Sequence, residues 1–233
     1  MLHARQLTKR FGAFTALDAL DLALAEGELF GLLGPNGAGK TTTIQLFLGF
    51  LDADAGSRSV NGVDVARDPE RARSQLGYIP ENVALYPWLT GRENLRFFAD
   101  LAGQRLTGAD ADDALARVGL AAAAAGRLVS GYSKGMRQKV GIAIALAKRA
   151  RVLLLDEPTS GLDPQASGEF SDTLRRVTAE GVTVLMATHD LFRAREICHR
   201  LGIMKQGRLV ERLEASSLSL PALEALYLQH MRA

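Results

Sequence analysis

Residues 31–43 read GLLGPNGAGKTTT, with Gly34, Gly39, Lys40 and Thr41 at the spacing G-x-x-x-x-G-K-[ST]. No other stretch limits the fold as tightly, because the pattern works only where a strand enters a sharply curled loop and the loop opens a helix. Glycine lets successive backbone N–H groups turn inward towards phosphate oxygens, and the following helix adds its positive N-terminal end. Gly34, Pro35, Asn36, Gly37, Ala38, Gly39, Lys40, Thr41 and Thr42 are therefore the expected nucleotide-binding set. Lys40 is expected to reach the β- and γ-phosphates and the Thr41 hydroxyl to ligate Mg²⁺.

The surrounding sequence has the layering that such a loop needs. ELFGLL (28–33), VLLLD (152–156) and VTVLMAT (182–188) are near-continuous apolar runs, the pattern of central parallel strands covered on both faces. Helical patterns alternate with them, so the expected class is α/β with a P-loop core. LHARQLT (2–8) and LDLAL (20–24) read as shorter strands, and LGIMKQGRLVE (201–211) as a hairpin turning at Gln206-Gly207. Together these are expected to form an antiparallel edge sheet.

Strand runs vanish between about residues 84 and 150, and an inserted helical lobe is expected over 84–150. It would divide a core made of 1–83 and 151–215. The five-alanine run at 121–125 marks a helix end or a variable loop, alanine being the strongest helix former. SSLSLP (216–221) is a polar linker before PALEALYLQHM, an amphipathic helix that ends the 216–233 segment and is expected to dock on the body or on a twin subunit. A chain of 233 residues with 47% apolar content has enough material for one core and too little for several domains, so 1–233 is expected to be a single domain.

A phosphate loop alone fits a GTPase, a small-molecule kinase or a helicase, and the other strand ends decide between them. VLLLDEP places Asp156 and Glu157 at a strand's carboxyl end, beside the phosphate loop in a doubly wound sheet. An aspartate there can hold the metal through its water shell, and an adjacent glutamate can orient and deprotonate an attacking water. VLMATHD brings His189 to the same edge, where a contact to the γ-phosphate is expected. The catalytic candidates are thus Glu157, His189 and Lys40.

Twenty-eight basic against twenty-six acidic residues leave a formal charge of +2, so no nucleic-acid partner is expected. One cysteine, Cys198, allows no intramolecular disulfide and gives no metal-ligand spacing. The N-terminal MLHARQLTKRFGAF lacks the apolar stretch of a secretory signal, and VGIAIALA (140–147) is far short of a bilayer span. A cytoplasmic protein without a transmembrane segment of its own is expected, one that reaches a membrane only through a partner.

These motifs, taken with YSKGM at 132–136, resemble the nucleotide-binding subunit of ATP-binding-cassette (ABC) transporters over essentially the whole chain. The resemblance implies a RecA-like core, ATP and Mg²⁺ as ligands, and ATP hydrolysis coupled to transport. GPNGAGKTT looks like the family's phosphate loop, VLLLDEP like its second nucleotide motif, and SGLD (160–163) like the loop at the dimer seam. His189 falls on the family's switch histidine and Phe11 on the aromatic that stacks on adenine, with Phe14 close by. YSKGM occupies the slot of the family's LSGGQ signature, which faces the γ-phosphate held by the opposing subunit. It implies that Ser133 and Gly135 serve the ATP of a second nucleotide-binding subunit, identical or homologous, in a head-to-tail dimer with two ATP molecules. The other implied partner is an integral membrane permease at the cytoplasmic face of the cell membrane.

Three positions in two motifs depart from the family pattern. Lys134 replaces a glycine and Met136 a glutamine, which resembles the exporter branch serving drugs, polysaccharides or peptides. Glu81 stands where the family carries a glutamine that contacts Mg²⁺ and the attacking water; a carboxylate can ligate a metal but accepts without donating. Glu81 is therefore a metal candidate beside Thr41 and Asp156. The same segment implies a groove for a helix of the membrane subunit, with Trp88 either an anchor there or a lid on local core. ENVALYPWLTGRENLRFFA (81–99) is also similar to the ATPase serving copper delivery in nitrous oxide reductase maturation.

Overall fold

Leu2–Phe11 (β1) and Phe14–Leu24 (β2) form an antiparallel hairpin that turns at Gly12, where φ is +59°. The structure, a computed structural model, describes residues 1–232; Ala233, the last residue of the expected 216–233 segment, lies outside them. The hairpin is followed by β3 (Leu29–Leu33), α1 (Lys40–Phe47), β4 (Ala55–Val60), β5 (Val63–Asp64), α2 (Pro69–Ser74) and β6 (Leu76–Ile79). A helical stretch comes next: α3 (Gly91–Leu101), α4 (Gly108–Arg117), α5 (Ala122–Ala125) and α6 (Lys134–Ala147). The chain closes with β7 (Val152–Asp156), α7 (Pro164–Ala179), β8 (Thr183–Thr188), α8 (Leu191–Ile197), β9 (Arg200–Lys205), β10 (Arg208–Glu214) and α9 (Leu220–Arg232).

Two sheets result. The larger has six strands in the order β10-β9-β3-β8-β7-β6, parallel except for β10, and the smaller runs β2-β1-β4-β5, all antiparallel. β3, β7 and β8 are buried at every position. Their residues alternate between two cores: Leu29, Leu33, Leu153, Leu155, Val184 and Met186 enter one, Phe30, Leu32, Leu154 and Leu185 the other. That two-sided burial is why these strands read as unbroken apolar runs.

Three features differ from the sequence expectation. The Gln206-Gly207 hairpin does not join the antiparallel edge sheet; β9 pairs in parallel with β3, so it extends the main sheet. β1 and β2 are longer than LHARQLT and LDLAL suggest, because register shifts break their alternation where Gln6 and Ala19 adopt φ of +48° and +49°. The second partner of β1 is β4, whose sequence AGSRSV lacks a strand's apolar pattern.

α6 ties the helical stretch to the core. Gly77 in β6 lets the helix approach so closely that a Cβ there would lie 2.4 Å from that of Ala145. The N-termini of α3 and α4 are fixed by reciprocal capping, Thr90 with Glu93 and Thr107 with Asp110. The alanine run is one short turn, Ala122–Ala125. α9 docks on the body, with Leu223 fully buried and the Lys205 ammonium donating to the His230 carbonyl at 2.9 Å. Among the described residues no helix is long and apolar enough to cross a membrane.

Candidate nucleotide-binding site

The loop between β3 and α1 is held in its curl before any side chain acts. Gly37 and Gly39 take φ of +81° and +104°, values that residues with a Cβ rarely adopt. Gly39 also leaves no space: a Cβ would lie 2.6 Å from the Ala16 carbonyl of β2. The β9–β10 turn braces the loop from behind, where Gly207 N–H donates to the Ala38 carbonyl at 3.0 Å and Asp18 N–H to the Gly207 carbonyl at 2.9 Å. Gly39 caps α1 without a side-chain acceptor, so the helix's first N–H groups are left to an external anion.

Lys40 is buried, 6% exposed, and its ammonium donates to the Gly34 and Pro35 carbonyls at 2.6 and 3.2 Å. It also lies 3.4 Å from Oε1 of Glu157, but its orientation leaves that oxygen buried without a hydrogen bond. The other Glu157 oxygen meets Nδ1 of His189 at 2.9 Å and the His189 N–H at 3.3 Å. Glu157 takes φ of +48°, a left-handed conformation that costs a non-glycine residue about 1–2 kcal/mol. The surrounding structure sustains that strain, as recurs at functional sites: the Glu157 N–H bonds the Ala187 carbonyl on β8 at 2.9 Å.

The Thr41 hydroxyl donates to Asp156 Oδ1 at 3.2 Å. Burial raises the Asp156 carboxyl above the usual carboxylate range; the Thr41 bond opposes the shift, and the charge of Glu157 adds to it. A hydroxyl and a buried carboxylate give an all-oxygen donor pair that suits a hard divalent cation such as Mg²⁺. Phe11 and Phe14 flank the Gly12 turn, both well exposed, and line a cavity of about 350 Å³ together with Asn36, Gly37, Thr42 and Glu157. Pro35, Ala38, Gly39, Lys40 and Thr41 line it as well.

The remaining candidates sit elsewhere. Ser133 is the N-cap of α6 and accepts from the Met136 N–H at 3.3 Å, while Gly135 is buried in the first turn, where a Cβ would lie 3.4 Å from that of Ala166. Neither lines the cavity. Glu81 Oε1 accepts from the Ser160 hydroxyl at 3.1 Å and pairs with the Lys134 ammonium at 3.3 Å. Those two contacts hold its carboxyl below the usual range, the Ser160 bond most of all. Trp88 is 70% exposed and tilts over Tyr86 at 6.0 Å, which in turn meets the edge of Phe97 at 4.9 Å. Sequence reasoning missed Gln138, buried on α6, whose amide donates to the Glu81 carbonyl at 2.9 Å. It also missed the role of Ser160, which belongs to a quoted motif but shows its partner only once the chain is folded.

A doubly wound sheet with a phosphate loop, paired carboxylates and a histidine at adjoining strand ends defines a P-loop nucleoside triphosphatase. The chain belongs to the ABC transporter family, whose pattern it matches over residues 17–160, and it is an ATP-binding cassette ATPase. It is similar to the uncharacterized ABC transporter ATP-binding protein YdbJ of Bacillus subtilis (strain 168), 41% identical over 214 residues, covering 90% of this chain and 68% of that protein. It is also similar to the daunorubicin resistance ATP-binding protein DrrA2 of Streptomyces coeruleorubidus, 40% identical over 211 residues, covering 90% of this chain and 65% of that one. It thus spans about two thirds of the length of these relatives. A solved ATP-binding subunit of an ABC transporter superposes with a TM-score of 0.82 at 30% identity, covering 98% of this chain and 99% of that one.

Proposed function

We propose that the chain binds ATP with Mg²⁺, pairs head to tail with a second nucleotide-binding subunit, and hydrolyses ATP to drive export through a separate integral membrane permease. Export is favoured by the resistance ATP-binding protein among its relatives. The permease would dock at the cytoplasmic face of the membrane, with Trp88 as an exposed anchor. The near-neutral charge of +2 supplies no nucleic-acid footprint.

In this reading Phe11 stacks on adenine, and the backbone N–H groups from Gly34 to Thr42 cradle the phosphates. Lys40 exchanges the Gly34 and Pro35 carbonyls for phosphate oxygens. Thr41 and Asp156 would hold Mg²⁺, which when bound neutralises phosphate charge. Glu157 takes a proton from the attacking water, and His189 orients that carboxylate and reaches the γ-phosphate. Ser133 and Gly135 complete the site of the other subunit, in keeping with their place outside the chain's own cavity.

One observation carries the proposal: Glu157 lines the phosphate-loop cavity with Oε2 held by Nδ1 of His189 at 2.9 Å and Oε1 3.4 Å from the Lys40 ammonium. That sets an oriented carboxylate beside the phosphate loop, at the place where a general base is needed. The experiment is Glu157→Gln. The variant is expected to bind ATP, accumulate as an ATP-bound dimer and hydrolyse slowly; full turnover would remove Glu157 from the role.

A further inference from the structure

Lys134 and Gln138 stand one turn apart on α6 and both reach Glu81. Gln138 is fully buried and its amide donates to the backbone carbonyls of Pro80 and Glu81 at 3.3 and 2.9 Å. Lys134 takes the side chain: its ammonium lies 3.3 Å from Glu81 Oε1, and the Ser160 hydroxyl donates to the same oxygen at 3.1 Å. Among the described residues Glu81 is the one carboxylate within ion-pair distance of Lys134. The lysine lies beside Gly161, where a Cβ would sit 3.9 Å from its Nζ. Three segments therefore meet at one oxygen: the loop after β6, the N-terminus of α6 and the loop that starts at Glu157.

We propose that Glu81 is a positioning residue, whose carboxylate fixes the Lys134 end of α6, and with it Ser133 and Gly135, against the loop carrying Glu157 and Ser160. The inference rests on the reading of Ser133 and Gly135 as contacts for the other subunit's nucleotide. Given that reading, the Glu81–Lys134 pair joins the chain's own hydrolytic loop to the surface it offers its partner. With 49% of the Glu81 side chain exposed, such a pair adds little to stability. Its effect lies in where it places α6. The pair also accounts for the departures at Glu81 and Lys134 together, since a charge at either position alone would stand without its counter-charge.

The test is a double-mutant cycle on steady-state ATPase of the full chain at saturating ATP, with Glu81→Gln, Lys134→Gly and the double variant. Each single change is expected to lower kcat about tenfold, and the double variant no further, as for two residues acting through one contact. Lys134→Arg should retain the rate, and the Mg²⁺ concentration giving half-maximal activity should stay at the wild-type value in every variant. Losses that multiply in the double variant would overturn the proposal. So would a shift in Mg²⁺ requirement on Glu81→Gln alone, which would make Glu81 a metal ligand. Wild-type activity per chain should rise with chain concentration; absence of that rise would overturn the dimer reading and this inference together, whereas its presence with multiplying losses would overturn this inference alone.

Discussion

Nδ1 of His189 lies 2.9 Å from Oε2 of Glu157, and the His189 backbone N–H supports the same oxygen at 3.3 Å. The contact spans the ends of two neighbouring parallel strands, while the second, buried carboxylate oxygen lies 3.4 Å from the Lys40 ammonium. Removing the imidazole should let the carboxylate turn. His189→Ala is expected to lower ATP hydrolysis by at least about a hundredfold, in the range of a misplaced general base. Parallel measurements of turnover and equilibrium ATP affinity check this: the affinity should change only a few fold. Unchanged turnover would show that Glu157 is held without the ring.

Ser133 caps α6 outside the cavity of its own chain. Ser133→Arg should therefore leave ATP binding by the isolated chain largely intact and abolish hydrolysis, by blocking the surface where the second subunit's nucleotide would be met. Titration with a fluorescent ATP analogue, set beside a phosphate-release assay, separates the two effects. Loss of nucleotide binding in the isolated chain would instead return Ser133 to a local role.

Gly39 combines a φ of +104° with a 2.6 Å approach to the Ala16 carbonyl. Gly39→Ala meets both obstacles at once and should cost roughly 1–3 kcal/mol from the backbone conformation alone. The expected outcome is a melting temperature lower by several degrees and loss of ATP binding. Gly37→Ala, with φ of +81° but nothing within 4 Å of the added carbon, should be the milder of the two in the same melt.

Acid should weaken the helical stretch through its caps. The Thr107 hydroxyl and backbone N–H hold the Asp110 carboxyl below its ordinary value, and the Thr90 backbone and hydroxyl do the same for Glu93. A lowered carboxyl contributes stability above its unfolded value, and that contribution is lost as pH falls through the folded one. Asp110→Asn imitates the protonated state at every pH. Its melting temperature should lie below wild type at pH 7, and the gap should close below about pH 4. A gap that is constant with pH would mean that the charge of Asp110 contributes nothing.

The residues gathered by motif spacing were legible because each marks the end of a strand buried on both faces. Gly34 follows β3, Asp156 ends β7 and His189 follows β8, and such strands are unbroken apolar runs in any sequence. β4 was illegible for the opposite reason: AGSRSV is polar, and it is a strand because β1 offers it a partner. β1 and β2 were visible only in part, since the left-handed turns at Gln6 and Ala19 shift the alternation midway. Beyond the resemblance to the exporter branch, Lys134 carried no readable reason; its counter-charge is 53 residues away and reaches it only through the packing of α6 on β6.

The Gly207 turn is a splint: it binds Ala38 on one side and Asp18 on the other, so part of the phosphate loop's curl is fixed by backbone bonds from outside it. A loop braced in this way has less conformational entropy to lose when a ligand arrives. In the proposed reading, more of the nucleotide's binding free energy is then left for the mechanical act of drawing two subunits together.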